Sequence, residues 1–551
     1  MEVIPDMEHA NVWRARWLPA GLGLLAALLI FPGLGSGSLH NRDEARHALV
    51  AENILHDGDW LTLHHEDAPY FNKAPLKFWL TALTFRFGGV NVWTARLWSA
   101  LFAWGAVVVT GLLGARLYDR RTGLLAAFIL VTSTQFLYSH CARTGELDSA
   151  LLFFWTLACL LIVAGTRRRP LFYLGCAAVG LCGMVKHLGF VPELLLILGL
   201  WLGLGGQGRT LGAATLLRGL GVVLLAALPW HLWQYARHGA AFTTVYFGRE
   251  VVTRGLEYAA PRPDPRYLLT VLKDGLFPWS LLLPLAAWRL SRTRAPLGLR
   301  PGLLPVLWIA IVIVMVMASR VQLPWYALPA YPALAILLAR FVTTEWAARP
   351  TRPLDALVAA TWLVIAFSPI NVGSFNPFAT PALDGMVRAD LFGRLGGGGG
   401  RTWPDSPLLL LAVVGALAAV ATVLLSARGP VTRPGTARAR FIAIVALGAL
   451  ALGIAAAPLR FAATRTPLDQ LIAGTAPLIA PGDTVAVDLD AARRSDERTE
   501  FSLRRLPGRL VPAHAPGARW RLTSGPVPPA RAAEPWREVL RRSDLVLLQR
   551  R

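Results

Sequence analysis

In a chain of 551 residues, 54% are hydrophobic and only 16% are charged. A soluble enzyme carries about 25% charged residues, so this apolar excess excludes one water-soluble core and points to lipid. The net charge of +22 would suggest nucleic acid in a soluble protein. Here the arginines gather in short connectors between apolar runs, as the positive-inside rule expects, and nucleic-acid binding is set aside.

The first apolar run, Trp17 to Leu34, follows Arg14 and Arg16 and reads as a retained start-transfer helix. A hydrocarbon core about 30 Å thick needs about 20 mostly apolar residues per helical span. That length fits runs at 17–36, 97–114, 123–139, 149–165, 171–186, 188–204, 211–234, 276–290, 302–318, 323–342, 354–370, 407–426 and 439–457. The expected fold is therefore mainly α, a polytopic membrane protein of about 13 transmembrane helices. Cys159, Cys176 and Cys182 lie inside these runs and Cys141 near the end of one, so their spacing suggests neither a disulfide framework nor a metal site.

The connectors divide by charge. Those around Arg116, Arg120 and Arg121, Arg167 to Arg169, Arg209 and Arg218, Arg289 to Arg300, Arg349 and Arg352, and Arg428 to Arg440 are short and basic, and are expected to face the cytoplasm with the N-terminus. The alternate connectors, 37–95, 139–148, 235–275, 319–322 and 371–406, hold most of the acids of the membrane part and are expected to face outward. The odd count places the tail on the outside as well. Within 37–95, Pro75 to Phe87 spaces Trp79, Leu83 and Phe87 on one helical face with Lys77 and Arg86 off it, predicting a helix in the membrane interface. Gly396 to Gly400 reads as a linker. The chain divides into a membrane part, 1–460, and a small outward α/β domain, 461–551, with strands at Thr484 to Leu489 and Leu545 to Leu548 and a helix at Pro535 to Arg542.

Five outward-facing segments carry candidate chemistry. Asn41-Arg42-Asp43-Glu44-Ala45-Arg46-His47 follows the first span; Asp43 suits a general base, with Arg46 holding it or an anionic substrate, and the bland alternative is a capped helix start. Lys73, before Pro75, suits a phosphate contact or an interface lysine. Arg143, Glu146 and Asp148 enter the fourth span, where carboxylates need work or a partner. Lys186 adds a cation beside the fifth span, and Arg320 precedes Pro324-Trp325-Tyr326. Arg249, Glu250 and Arg254 are too generic to assign. Together these acids and cations suit a polar cleft in which cations neutralise a departing phosphate opposite a base.

Asp43-Glu44-Ala45-Arg46, Asn72-Lys73-Ala74-Pro75, Leu147-Asp148 and Leu323-Pro324-Trp325-Tyr326-Ala327-Leu328-Pro329, in this order over residues 15–345, resemble the bacterial aminoarabinose transferase and protein-mannosyltransferase group with the GT-C fold. The resemblance implies an inverting glycosyltransferase of the bacterial inner membrane. It would move a sugar from a polyprenyl-phosphate carrier to lipid A, another glycan or protein on the periplasmic side. It further implies Asp43 as catalytic aspartate, Arg46 and Lys73 as donor-phosphate contacts, Asp148 as second acidic position and Tyr326 as a cavity tyrosine; Glu44, Arg143, Glu146, Lys186 and Arg320 are added as candidate substrate contacts from their charge and place alone. The aminoarabinose enzymes have a glutamate before the lysine and a histidine in the outer loop, both linked to zinc. Asn72 and Val251, poor zinc ligands, stand there, so that zinc is not expected, and His47 replaces a tyrosine; the motifs leave open whether another divalent metal is needed. A transporter or flippase would place ionisable residues at mid-span. A non-catalytic envelope-assembly protein would work through the domain after 460. The motifs leave the sugar and acceptor unnamed.

Overall fold

The computed structural model describes residues 18–40, 43–165, 168–187, 212–257, 268, 271–273, 275–292, 303–319, 323–346, 448, 467–475, 478–489, 496–512, 518–524 and 536–550. Expected spans 188–204, 354–370 and 407–426, nearly all of 439–457, the linker at 396–400, and Arg320 lie outside them.

The membrane part is helical because apolar runs in lipid must satisfy their backbone internally. Among the described residues four helical stretches are long and apolar enough to cross a membrane: Val92–Leu117, Asp148–Gly165, Ala213–His238 and Pro324–Thr344. Shorter apolar helices lie at Pro19–Ile30, Arg169–Gly183, Trp279–Trp288 and Leu303–Ala318. The first helices in chain order are α1 (Leu18–Ile30), α2 (Asp43–Asp57), α3 (Leu76–Gly88), α4 (Val92–Leu117), α5 (Arg120–Val131), α6 (Thr134–Tyr138), α7 (Asp148–Gly165) and α8 (Arg169–Gly183).

Local sequence sets several ends. Asn91 starts α4 with a capping box, its side chain accepting from Thr94 N while Thr94 Oγ1 accepts from Asn91 N. Asp119 caps α5. Between α4 and α5 the backbones touch at Gly123, where a Cβ would fall 2.3 Å from Gly111 O, so a side chain there would force the helices apart.

The expected span at 123–139 is not one helix. It breaks after Val131 and resumes as the short α6. The hydroxyls of Thr132 and Ser133 donate to Phe128 O and Ile129 O, each at 2.7 Å, taking backbone acceptors at the end of α5. The helix expected over Pro75 to Phe87 is α3, with Leu83 and Phe87 exposed and Lys77 buried on the other side.

After residue 467 a five-stranded mixed sheet runs in the order β4-β3-β5-β7-β6, made of β3 (Thr484–Asp488), β4 (Arg509–Pro512), β5 (Trp520–Ser524), β6 (Trp536–Arg542) and β7 (Leu545–Arg550); β1 and β2 form a small hairpin at His64–His65 and Ala68–Pro69. β3 pairs in parallel with β4 and β5, and β7 antiparallel with β5 and β6. Helices Pro467–Thr475 and Glu497–Leu503 accompany the sheet, and Leu471, Val485, Leu522 and Leu547 are in its core. The helix expected over Pro535 to Arg542 is strand β6. The spacing of Trp536, Val539 and Leu540 is helix-like in sequence, and a bulge that shifts the register between Glu538 and Leu540 interrupts the two-residue alternation of the strand.

Candidate active site

The C-terminal ends of α1 and α8 and the N-terminal ends of α4 and α7 meet at one end of the bundle, with α2 and α3 across them. Glu44, 1% exposed, organises this corner. Its Oε1 accepts from Arg96 Nε at 2.7 Å and Gly145 N at 2.6 Å, and its Oε2 from His40 N at 2.6 Å. Arg96, buried on α4, also donates to Leu34 O, Ser36 O and Ser38 O. Burial would raise the Glu44 carboxyl, but Arg96 and His40 outweigh it and hold the group down to about 2. Gly145 is suited to this corner because a Cβ would stand 3.1 Å from Glu44 Cγ. The ammonium of buried Lys77 donates to Gly145 O, and Ser99 to Glu146 O at 2.8 Å. Arg143 donates to Leu29 O, Ile30 O and Pro32 O, satisfying carbonyls at the end of α1. Glu44 and Arg143 are thus committed to the scaffold of the loop 143–147.

That scaffold presents a charged cluster. Asp43, on the first turn of α2, is half-exposed, and its carboxylate, His140 and Glu146 offer ligand atoms all within 4.8 Å of one another. His47 Nδ1 is 3.2 Å from Glu146 Oε2. His140 Nδ1 lies 3.8 Å from Glu146 Oε2 and 3.6 Å from Asp148 Oδ2, and its ring stacks on Trp325 at 3.6 Å. Lys186 Nζ is 2.6 Å from Asp148 Oδ1. Tyr326 stands near enough to Lys186 to act on its charge.

The electrostatics follow from these neighbours. Burial pushes the Asp43 carboxyl up, but His47, His140, Lys73 and Arg46 together bring it below the ordinary carboxylate range. Burial pushes His140 down, while Glu146, Asp148 and Asp43 together lift it above the usual imidazole value.

Lys73 Nζ lies 3.3 Å from Glu250 Oε2, on the π-helix Thr244–Glu257. Asn72 Nδ2 donates to the other Glu250 oxygen at 3.3 Å. A neutral Asn72 and an apolar Val251 do not fit the zinc of the aminoarabinose enzymes. The trio Asp43, His140 and Glu146 has the donor chemistry to hold a divalent ion, a grouping missed from the sequence because His140 lies outside every motif.

Of the residues singled out in the sequence, Asp43, Arg46, Lys73, Glu146, Asp148, Lys186 and Tyr326 gather around this cluster, and Glu44 and Arg143 lie in its wall. Lys77, Arg96, His140 and Glu250 were given no role by the motifs. Lys77 alone had a readable signal, a cation on the face of α3 opposite its apolar stripe.

Comparison with known proteins follows the same lines. The sequence model of the family described as dolichyl-phosphate-mannose-protein mannosyltransferase matches residues 72–233. An undecaprenyl phosphate-alpha-4-amino-4-deoxy-L-arabinose arabinosyl transferase of Pseudomonas paraeruginosa is 31% identical over 348 residues, 60% of this chain and 60% of that protein. An uncharacterized Aquifex aeolicus protein is 29% identical over 345 residues, 62% of this chain and 66% of its own. The matches thus span under two thirds of these relatives' length. The crystal structure of ArnT from Cupriavidus metallidurans bound to undecaprenyl phosphate superposes with a TM-score of 0.62 at 21% identity, covering 97% of this chain and 98% of that one. The fold is therefore that of a polytopic membrane protein of this type, and the chain has the architecture of the ArnT-like GT-C glycosyltransferases.

Proposed function

We propose that this protein is an inverting glycosyltransferase that takes a sugar from a polyprenyl-phosphate carrier and passes it to a cell-envelope acceptor, lipid A being the first candidate. The observation that carries this is the meeting of Asp43 and Lys73 from one connector with Asp148 and Lys186 from two others at one end of the helices. The relatives named as undecaprenyl-phosphate arabinosyl transferases and the ArnT structure bound to undecaprenyl phosphate support the donor class.

In this reading the donor's lipid tail stays in the bilayer and its phosphate enters among Lys73, Arg46 and Lys186. An acceptor hydroxyl attacks the anomeric carbon opposite the phosphate. The carbon–oxygen bond to phosphate breaks as the new glycosidic bond forms, the hydroxyl proton passes to Asp43, and polyprenyl phosphate leaves. The cations answer the charge that grows on the departing oxygen. Asp148 acts through its partners by fixing Lys186 and His140. The proposed setting is the bacterial inner membrane, with about 13 spans, a cytoplasmic N-terminus, and both cleft and C-terminal unit in the periplasm. The proposed domain division is 1–460 and 461–551.

The test incubates purified protein in nanodiscs with labelled undecaprenyl-phosphate sugars and envelope lipids. Labelled acceptor is expected; movement of carrier between leaflets without transfer would identify a flippase instead. Lys186→Met is expected to raise the donor KM about tenfold, since one charge-assisted contact is removed; an unchanged KM would take Lys186 out of the donor site.

The rate is expected to fall in acid only below the ordinary carboxylate range, about 3.9, because protonating Asp43 requires a lower pH than usual. On the alkaline side it falls as His140 loses its proton above the usual imidazole value of about 6.5, because the cleft that receives the phosphate then loses a positive charge. A pH–rate profile of kcat/KM checks both limbs, and an acid limb near neutrality would contradict the assignment of Asp43.

A further inference from the structure

The unit after residue 467 covers one side of α2, the helix that carries both Asp43 and Arg46. Phe501, 1% exposed, packs in one cluster with Ala45, Ala48 and Leu49. Arg504 donates to Asn53 Oδ1 at 2.8 Å and reaches Glu52 at 3.4 Å. The Ser38 hydroxyl donates to Asp469, which also accepts from Ser502 at 2.7 Å. These contacts suffice to dock the unit.

The Arg46–Glu497 pair has a different character. Arg46 Nε donates to Glu497 Oε1 at 3.2 Å and a second guanidinium nitrogen donates to the same oxygen. Its remaining nitrogen lies 3.8 Å from Asp43 Oδ1. The helix Glu497–Leu503 does not need Glu497 as a cap, because Asp496 already accepts from Arg498 N at 2.9 Å. Both partners keep contact with solvent, at 29% and 16% side-chain exposure, so the pair is screened and open to competition from an anion of higher charge.

We propose that Glu497 is a latch on Arg46: it holds the guanidinium beside Asp43 in the donor-free protein and is displaced when the carrier phosphate arrives. This rests on the reading that Arg46 meets the donor phosphate. Glu497 is a positioning residue, acting on the donor only through Arg46.

The test is equilibrium binding of undecaprenyl phosphate, without sugar, to the full chain in nanodiscs. Glu497→Gln is expected to bind it about 3- to 10-fold more tightly than the parent, since the competing carboxylate is gone. Arg504→Gln cuts a tie to α2 that leaves Arg46 alone, and is expected to bind as the parent does. In an Arg46→Gln background the Glu497 change is expected to have no effect. Equal binding by Glu497→Gln and parent, a gain that persists without Arg46, or a loss shared with Arg504→Gln overturns the latch. Weaker binding by Arg46→Gln alone upholds the underlying reading in each of those cases. Binding indifferent to Arg46→Gln removes both the latch and the place of Arg46 in the donor site.

Discussion

Asp43→Asn is expected to abolish sugar transfer, lowering kcat about 10²- to 10⁴-fold, the range that a positioned general base contributes. The substitution keeps the shape of the side chain and removes its ability to take a proton. Asp43 stands on the first turn of α2 with half its surface open, and its neighbours keep it ionised. Donor binding should survive, because the proposed phosphate contacts are Lys73, Arg46 and Lys186. The signature is therefore a fall in kcat with a KM within about threefold of the parent. Full transfer by Asp43→Asn would remove the carboxylate from the reaction.

Glu44→Gln is expected to cost about 3 to 5 kcal/mol of stability, the range for breaking a buried ion pair by removing one partner. The loss would come from Arg96, left charged and buried at 3% exposure without its carboxylate. Removing both charges in Glu44→Gln/Arg96→Met should recover part of that loss, since the stranded charge goes too. The pH dependence has a defined sign. The folded carboxyl, held down to about 2 against 4.5 for the free group, contributes stability that is fully present above about 4.5 and is lost as pH falls toward 2. The difference amounts to roughly 3 kcal/mol. Thermal unfolding in detergent measures both effects. Unchanged stability with transfer lost would return Glu44 to the candidate substrate contacts read from the sequence.

These two neighbours show what a sequence discloses and what it does not. Asp43 and Glu44 are adjacent in one motif and were both read as working residues. On a helix, adjacent side chains point about 100° apart, so one faces the cluster and the other the interior. Arg143 has the same history: the motif marks it, and its three bonds to the end of α1 set its place. Lys73, Asp148 and Lys186 were legible because charges beside apolar runs are costly and need a reason.

The partners of those charges were not legible. Glu250 reaches Lys73 across 177 residues, and Glu497 reaches Arg46 across 451; no local spacing reports either contact. His140 carries no motif, and its place is set by stacking on Trp325 and facing Asp148. The membrane helices were readable from apolar length, while the break at Thr132 and Ser133 and the bulge in β6 were not. In both, a local backbone feature overrides the periodicity.

The charges of the cleft are also more balanced than the sequence suggests. Lys73, Lys186 and Arg46 each face a carboxylate, Glu250, Asp148 and Glu497. A phosphate entering among them competes with acids that are already in place. Donor affinity then depends on how readily those pairs open as well as on the number of cations.

The most direct test is a cryo-electron microscopy map of the protein in nanodiscs saturated with undecaprenyl phosphate. Phosphate density within hydrogen-bonding reach of Lys73 and Arg46, with the Asp43 carboxylate facing it, is the expected result. Carrier density on the opposite membrane surface, or out of reach of both Lys73 and Arg46, would contradict it.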